Sequence, residues 1–117
     1  MKMFRRDEGF TLVELMVVVL IIGILVAIAI PIFNVAKASA QQKTCYANMR
    51  TVAGAWQTYV AENPTTSLTG WDNISPVLVP AYIKVTPVCP AGGTYTAVTT
   101  NQALVMACGY STHTDKF

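Results

Sequence analysis

"GFTLVELMVVVLIIGILVAIAIPIFNVA", residues 9–36, decides how the rest of the chain is read. From Leu15 to Ala36 no side chain is charged, and as far as Phe33 only apolar residues, Gly23 and Pro31 occur. About 20 such residues are enough for an α-helix to cross the hydrocarbon core of a bilayer. One carboxylate, Glu14, stands at the edge of the run. It is costly there unless it snorkels to the headgroups, is protonated or finds a cation. Lys2, Arg5 and Arg6 are local cations that would make Glu14 an ordinary membrane-edge residue.

The composition agrees with a membrane or an assembly rather than a soluble domain. Of 117 residues 53% are hydrophobic and 12% charged, against about a quarter charged in ordinary soluble domains. A signal peptide also begins with basic residues and an apolar stretch, but its apolar region is short and ends at a small-residue cleavage site. Here a polar sequence with helical periodicity follows Ala36, so the segment is expected to be retained. The net charge of +2 is divided evenly between leader and remainder, and Lys37, Lys43, Arg50, Lys84 and Lys116 are dispersed. That distribution argues against a nucleic-acid partner.

Cys45, Met49, Val52, Trp56 and Tyr59 recur at helical intervals, with Lys43, Asn48, Arg50, Gln57 and Glu62 off that seam, which predicts an amphipathic continuation of the helix over 37–62. Asn63-Pro64 ends it, because the residue before proline is pushed out of helical geometry. Pro31 removes a backbone hydrogen bond and Gly23 weakens its surroundings, so the stretch between them is expected to bend or loosen. Residues 63–93 read as a connecting loop with room for one turn of helix. "TYTAVTT" and "ALVMACG", separated by Asn101 and Gln102, predict a β-hairpin over 94–109, with Leu104, Met106 and Cys108 on the face turned to the helix. A tail, 110–117, follows. The fold class is therefore α+β: a membrane-spanning helix over 10–36, and a small C-terminal head over 37–117 in which the amphipathic helix packs on an antiparallel hairpin.

Cys89 and Cys108 lie in a turn-rich, extracytoplasmic segment where a disulfide can persist, and such a closure stabilises by about 3 kcal/mol in the loop-entropy model. Cys45 joined to either of them is the rival, and three reduced, buried thiols the third arrangement. His113 is a lone histidine in a polar tail and is expected to be solvated, so no metal site and no cofactor is expected. No P-loop, dinucleotide fingerprint or HExxH motif occurs, and nothing suggests a nucleophilic triad. The chain is not expected to be an enzyme.

"GFTLVEL", residues 9–15, after a short basic leader and ahead of an apolar run, resembles the cleavage and N-methylation motif of type IV prepilins and related pseudopilins. The resemblance implies a pilin-like fold and removal of leader 1–9 by a membrane prepilin peptidase cutting between Gly9 and Phe10. Methylation of the new Phe10 amine by the same peptidase/N-methyltransferase and helical homo-polymerisation would follow. Glu14 matches the acidic residue that assembly uses, pairing with the terminal amine of a neighbouring helix and fixing the axial stagger. Gly23 and Pro31 match helix-weakening positions of such filaments, and Cys89 with Cys108 match a carboxyl-terminal disulfide found in many members. The implied partners are membrane lipid before assembly, further copies of the chain, and a machinery of inner-membrane platform and ATPase. The implied location is a single-pass membrane protein that becomes part of a surface filament for adhesion, motility or DNA uptake. A minor pilin or a pseudopilin of a type II secretion or competence system is the alternative. A calcium site near the carboxyl terminus, frequent in secretion pseudopilins, is weakly supplied here, with Asp115 and neutral oxygens alone. From a different class, a single-span protein whose outer domain binds a partner without polymerising would keep its leader and would not depend on Glu14.

Overall fold

The computed structural model of the chain describes residues 9–114. Leader residues 1–8, with Lys2, Arg5 and Arg6, and tail residues 115–117, with Asp115, lie outside the described residues. The elements, in chain order, are α1 (Leu12–Glu62), α2 (Trp71–Leu78), β1 (Tyr95–Thr100) and β2 (Ala103–Cys108). The described chain falls into two compact units that divide after Ala36.

α1 comprises 51 residues and passes through Gly23 and Pro31 without interruption. The loosened stretch expected between those residues is helical. A proline inside a helix removes one donor and crowds the carbonyl four residues back, and the β-branched and leucine-rich turns on either side hold the ladder across that single defect. The helix stops at Glu62, where the Asn63 N–H still reaches the Tyr59 and Val60 carbonyls (2.9 and 3.2 Å) and Pro64 prevents a further turn.

In the second unit the predicted seam is the floor of the core. Cys45, Met49, Val52 and Trp56 are fully buried and Tyr59 is half-buried against them. The hairpin lies over this seam, with β1 and β2 antiparallel in the register Tyr95↔Cys108, Ala97↔Met106 and Thr99↔Leu104. Strand alternation places Tyr95, Ala97, Leu104 and Met106 in the core, with Cys108 half-buried at the end of the same row. Burial holds the Tyr95 phenol above its ordinary pKa, although Asn48 Nδ2 donates to its oxygen at 3.3 Å.

The hairpin turn is built without glycine. Asn101 and Gln102 both have positive φ, 51° and 67°, the conformation a two-residue primed turn requires and which asparagine tolerates far better than glutamine. Two contacts hold Gln102 in place: Trp56 Nε1 donates to its backbone carbonyl at 2.8 Å, and its side-chain amide donates to the Pro64 carbonyl. The largest core side chain thus also anchors the turn.

Within 63–93 the structure has two full turns of helix, more than the one turn expected. Ser75 and Pro76 hide α2 in the sequence, but Ile74 and Leu78, four residues apart, are both fully buried and hold it on the core. Its start is capped only by backbone, the Gly70 carbonyl accepting from Asn73 and Ile74 at 3.2 and 3.1 Å.

One expectation for the tail is corrected. His113 is not solvated; it is 2% exposed, with Nδ1 3.4 Å from Cys89 Sγ. Cys45, Cys89 and Cys108 are free thiols, the third of the three arrangements considered above. The seam brings Cys45 to the same point as the other two, so the three thiols and His113 form one cluster.

Trp56→Phe should keep an aromatic ring in the core but remove the indole N–H, leaving the Gln102 carbonyl unpaired in a strained turn. The second unit is expected to lose about 1–3 kcal/mol, and Trp56→Ala about 3–5 kcal/mol, read as reduced denaturant midpoints of the full chain in detergent.

Candidate functional site

The sequence motif at the membrane edge folds into a defined helix start. Glu14 lies three residues after Thr11, and the two exchange hydrogen bonds: the Glu14 N–H donates to Thr11 Oγ1 at 3.2 Å, and the Thr11 N–H donates to Glu14 Oε2 at 3.1 Å. The Leu15 N–H donates to the Thr11 carbonyl at 3.2 Å. This is a capping box, with Thr11 as N-cap and Glu14 as the third helical residue, and it satisfies donors the first turn would otherwise leave unpaired. The carboxylate also lies in the first turn, where the helix dipole favours negative charge. Thr11 is the residue that sequence reading missed, although the threonine-x-x-glutamate spacing ahead of an apolar run was there to be read.

The peptide between Gly9 and Phe10 lies before the first helical hydrogen bond. Both residues are exposed, Phe10 at 90%, so the bond stands free of helical structure and open to approach. A methyl group built at Gly9 or at Gly23 meets nothing within 4 Å. The chain's own packing therefore does not require glycine at either position.

From Gly9 to Ala36 every residue is exposed. Within this stretch α1 has a segment long and apolar enough to cross a membrane, and none of that segment is buried by the chain itself. The exposed set includes Leu15, Leu20, Ile24, Ile28, Ile32 and Phe33. The described part of the unit, 9–36, is an apolar stretch with one carboxylate near its start. Chemically it can bind hydrocarbon or other apolar helices, and at Glu14 a cation; no nucleophile–base pair or metal-ligand set occurs among its described residues. The one group of metal-ligand spacing among the described residues, Cys45, Cys89, Cys108 and His113, is in the second unit.

Comparison with known proteins bears on this motif. A model described as the prokaryotic N-terminal methylation motif matches residues 4–30. The chain is 46% identical over 57 residues to the type IV major pilin protein PilA of Myxococcus xanthus (strain DK1622), a match covering 49% of the chain and 26% of the Myxococcus protein. It is 32% identical over 111 residues to the type II secretion system core protein G of Aeromonas hydrophila, covering 84% of the chain and 77% of that protein. The core protein G of Escherichia coli (strain K12) is 31% identical over 111 residues, covering 84% and 76%. No solved structure matches.

Capping and charge can be separated at position 14, because glutamine also completes a capping box. Glu14→Gln should keep the Thr11 amide protected from hydrogen exchange in micelles. Glu14→Ala should expose it, with a loss of about 1 kcal/mol of local stability, read by residue-resolved exchange.

Proposed function

The chain belongs to the superfamily of type IV pilins and pseudopilins, and we propose that it is the structural subunit of a type IV pilus. The observation that carries the proposal is the wholly exposed apolar stretch of α1, with its single carboxylate one turn after an open Gly9-Phe10 peptide. The precursor sits in the bilayer through this segment as a single-pass protein. Prepilin peptidase cuts between Gly9 and Phe10 and the new Phe10 amine is methylated. The chain is the substrate of that chemistry and catalyses none.

Assembly then replaces lipid by helix. In a filament core, packing between apolar helices takes the place of lipid contact, and subunits are drawn from the membrane by a platform and an ATPase. Glu14 faces the Phe10 amine of a neighbouring subunit. A charge buried between helices is tolerated only with its partner in place, so the ion pair fixes the axial stagger. Gly23 and Pro31 are the positions at which neighbouring helices allow α1 to loosen, since a proline-freed carbonyl needs such a neighbour to satisfy it.

A second reading is favoured by one specific observation. The similarity to the type II secretion core protein G extends over 84% of the chain, whereas that to the Myxococcus pilin covers 49%. A pseudopilin of a secretion filament uses the same processing and the same helix core, and differs in filament length and in the machine it serves.

Sheared surface material examined by intact mass and N-terminal sequencing tests the proposal. A mature chain beginning at methylated Phe10, abundant in sheared filaments, is expected. An unprocessed chain confined to membranes would overturn it, and a processed chain scarce in filaments, whose deletion abolishes protein export but not pili, would establish the pseudopilin. In a strain expressing only Glu14→Gln, membrane insertion should be normal and filament yield should fall about tenfold or more, since an unpaired buried charge costs several kcal/mol.

A further inference from the structure

Outside the membrane-edge motif, the densest group of reactive side chains is the one made by Cys45 on α1, Cys89 at the end of the long loop, Cys108 at the end of β2 and His113 in the tail. Their ligand atoms all lie within 4.8 Å of one another. Three of the four residues are buried and Cys108 is half-buried. We propose that these four residues form a structural zinc site, three thiolates and the Nδ1 of His113 closing a tetrahedron around one Zn²⁺.

The donor set and its spacing carry the assignment. Zinc binds thiolate sulfur at about 2.3 Å and imidazole nitrogen at about 2.0–2.1 Å, and Cys3His is one of its closed, four-coordinate structural sets. A tetrahedron of those radii separates sulfur from nitrogen by about 3.6 Å and sulfur from sulfur by about 3.8 Å. His113 Nδ1 is 3.4 Å from Cys89 Sγ and 3.8 Å from Cys108 Sγ. The widest separation in the group must contract by about 1 Å, within the reach of a side-chain rotation. Binding forms three zinc–sulfur bonds and one zinc–nitrogen bond, expels the thiol protons to solvent, and leaves the filled site with one net negative charge.

Surrounding groups are arranged for the close approach of the thiols and for the histidine. Gly93 lets Cys108 approach: a methyl group there would lie 2.6 Å from Cys108 Sγ and 3.0 Å from the Tyr110 nitrogen. The tail is pinned so that His113 points inward. The His113 N–H donates to the Tyr110 carbonyl at 2.9 Å, Gln42 Nε2 donates to the Thr112 carbonyl at 2.7 Å and to the Tyr46 hydroxyl at 3.0 Å, and Tyr46 and Tyr110 flank the imidazole ring. A Cys89–Cys108 disulfide would account for two of the four residues and leave the placement of Cys45 and His113 without a cause.

With all four positions filled by protein, no coordination site remains for substrate, so the zinc role is to tie α1, the long loop, β2 and the tail together. The inference concerns the second unit alone and stands whichever filament the chain serves. The test is made on the full chain, extracted from membranes in detergent without reductant or chelator. Elemental analysis should find one zinc per chain, and all three cysteines should resist alkylation until a chelator is added. Replacement by Co²⁺ should give the intense visible bands of a tetrahedral site with thiolate charge transfer. His113→Ala should lose stoichiometric zinc or shift the cobalt spectrum, and Cys45→Ser should abolish both. Should Cys45→Ser fail to fold, the metal content and cobalt spectrum of the unaltered chain decide alone. A chain without zinc would overturn the proposal, whether its cysteines alkylate freely or its mass is short by the two hydrogens of a disulfide.

Discussion

Among the described residues the apolar half of α1 has no partner, and the rest of the molecule is organised around that lack. From Leu12 to Ala36 each turn of helix presents isoleucine, valine, leucine or alanine on all sides, a pattern with no polar face to turn toward water. An environment must be supplied from outside, first hydrocarbon and then, in the proposed filament, other copies of the same helix. Moving from one to the other changes little in apolar burial, because lipid tails and leucine side chains are equally dry. What distinguishes the assembled state must therefore come from the few features that are not apolar, and in the described stretch these are the helix start, Glu14 and Asn34.

The second unit solves the opposite problem. It has a small core, four seam residues of α1 set against two from α2 and a two-stranded sheet, and such a core has little surplus stability. Its economy is visible in residues that serve twice. Trp56 fills the centre and holds the Gln102 carbonyl of a turn that would otherwise strain. Asn48 spans from α1 to the Val88 carbonyl at 3.0 Å and to Tyr95, and Gln42 spans from α1 to the tail. Among the described residues no buried side-chain nitrogen or oxygen lacks a hydrogen-bond partner, so the long loop is fastened by polar contacts as much as by burial.

How far the sequence could be read follows the range of the interactions. The seam from Cys45 to Trp56, the stop at Asn63-Pro64 and the inward face of β2 are set by periodicity and local backbone chemistry, and each is where those rules put it. α2 is only half legible because Pro76 breaks the local pattern while Ile74 and Leu78 are held by the core, a tertiary effect. α1 is helical through Pro31 for a related reason: local propensity names the weak point of a helix but not whether anything takes up the freed groups. His113 is the least legible residue of all. A lone histidine in a polar tail carries no signal until the fold brings three cysteines from distant parts of the chain to meet it. At the membrane edge the apolar run was plain, whereas Thr11 was passed over beside the more conspicuous charge of Glu14.

The cap that Glu14 forms and the counter-ion role proposed for it are compatible because they belong to different states of the same helix. In a lone subunit the carboxylate accepts from the Thr11 N–H, which lowers the cost of carrying it at the edge of hydrocarbon. In the proposed filament it would face a terminal amine and exchange a neutral donor for a charged one. Such an exchange gives a modest net gain, since the cap contact is weakened as the ion pair forms and both charges lose water. A modest gain suits a subunit that must leave the bilayer as well as enter the filament. A mismatched stagger, by contrast, would bury the amine with no partner at all. In the proposed filament the carboxylate would thus contribute less to how strongly helices associate than to the single axial position at which they do.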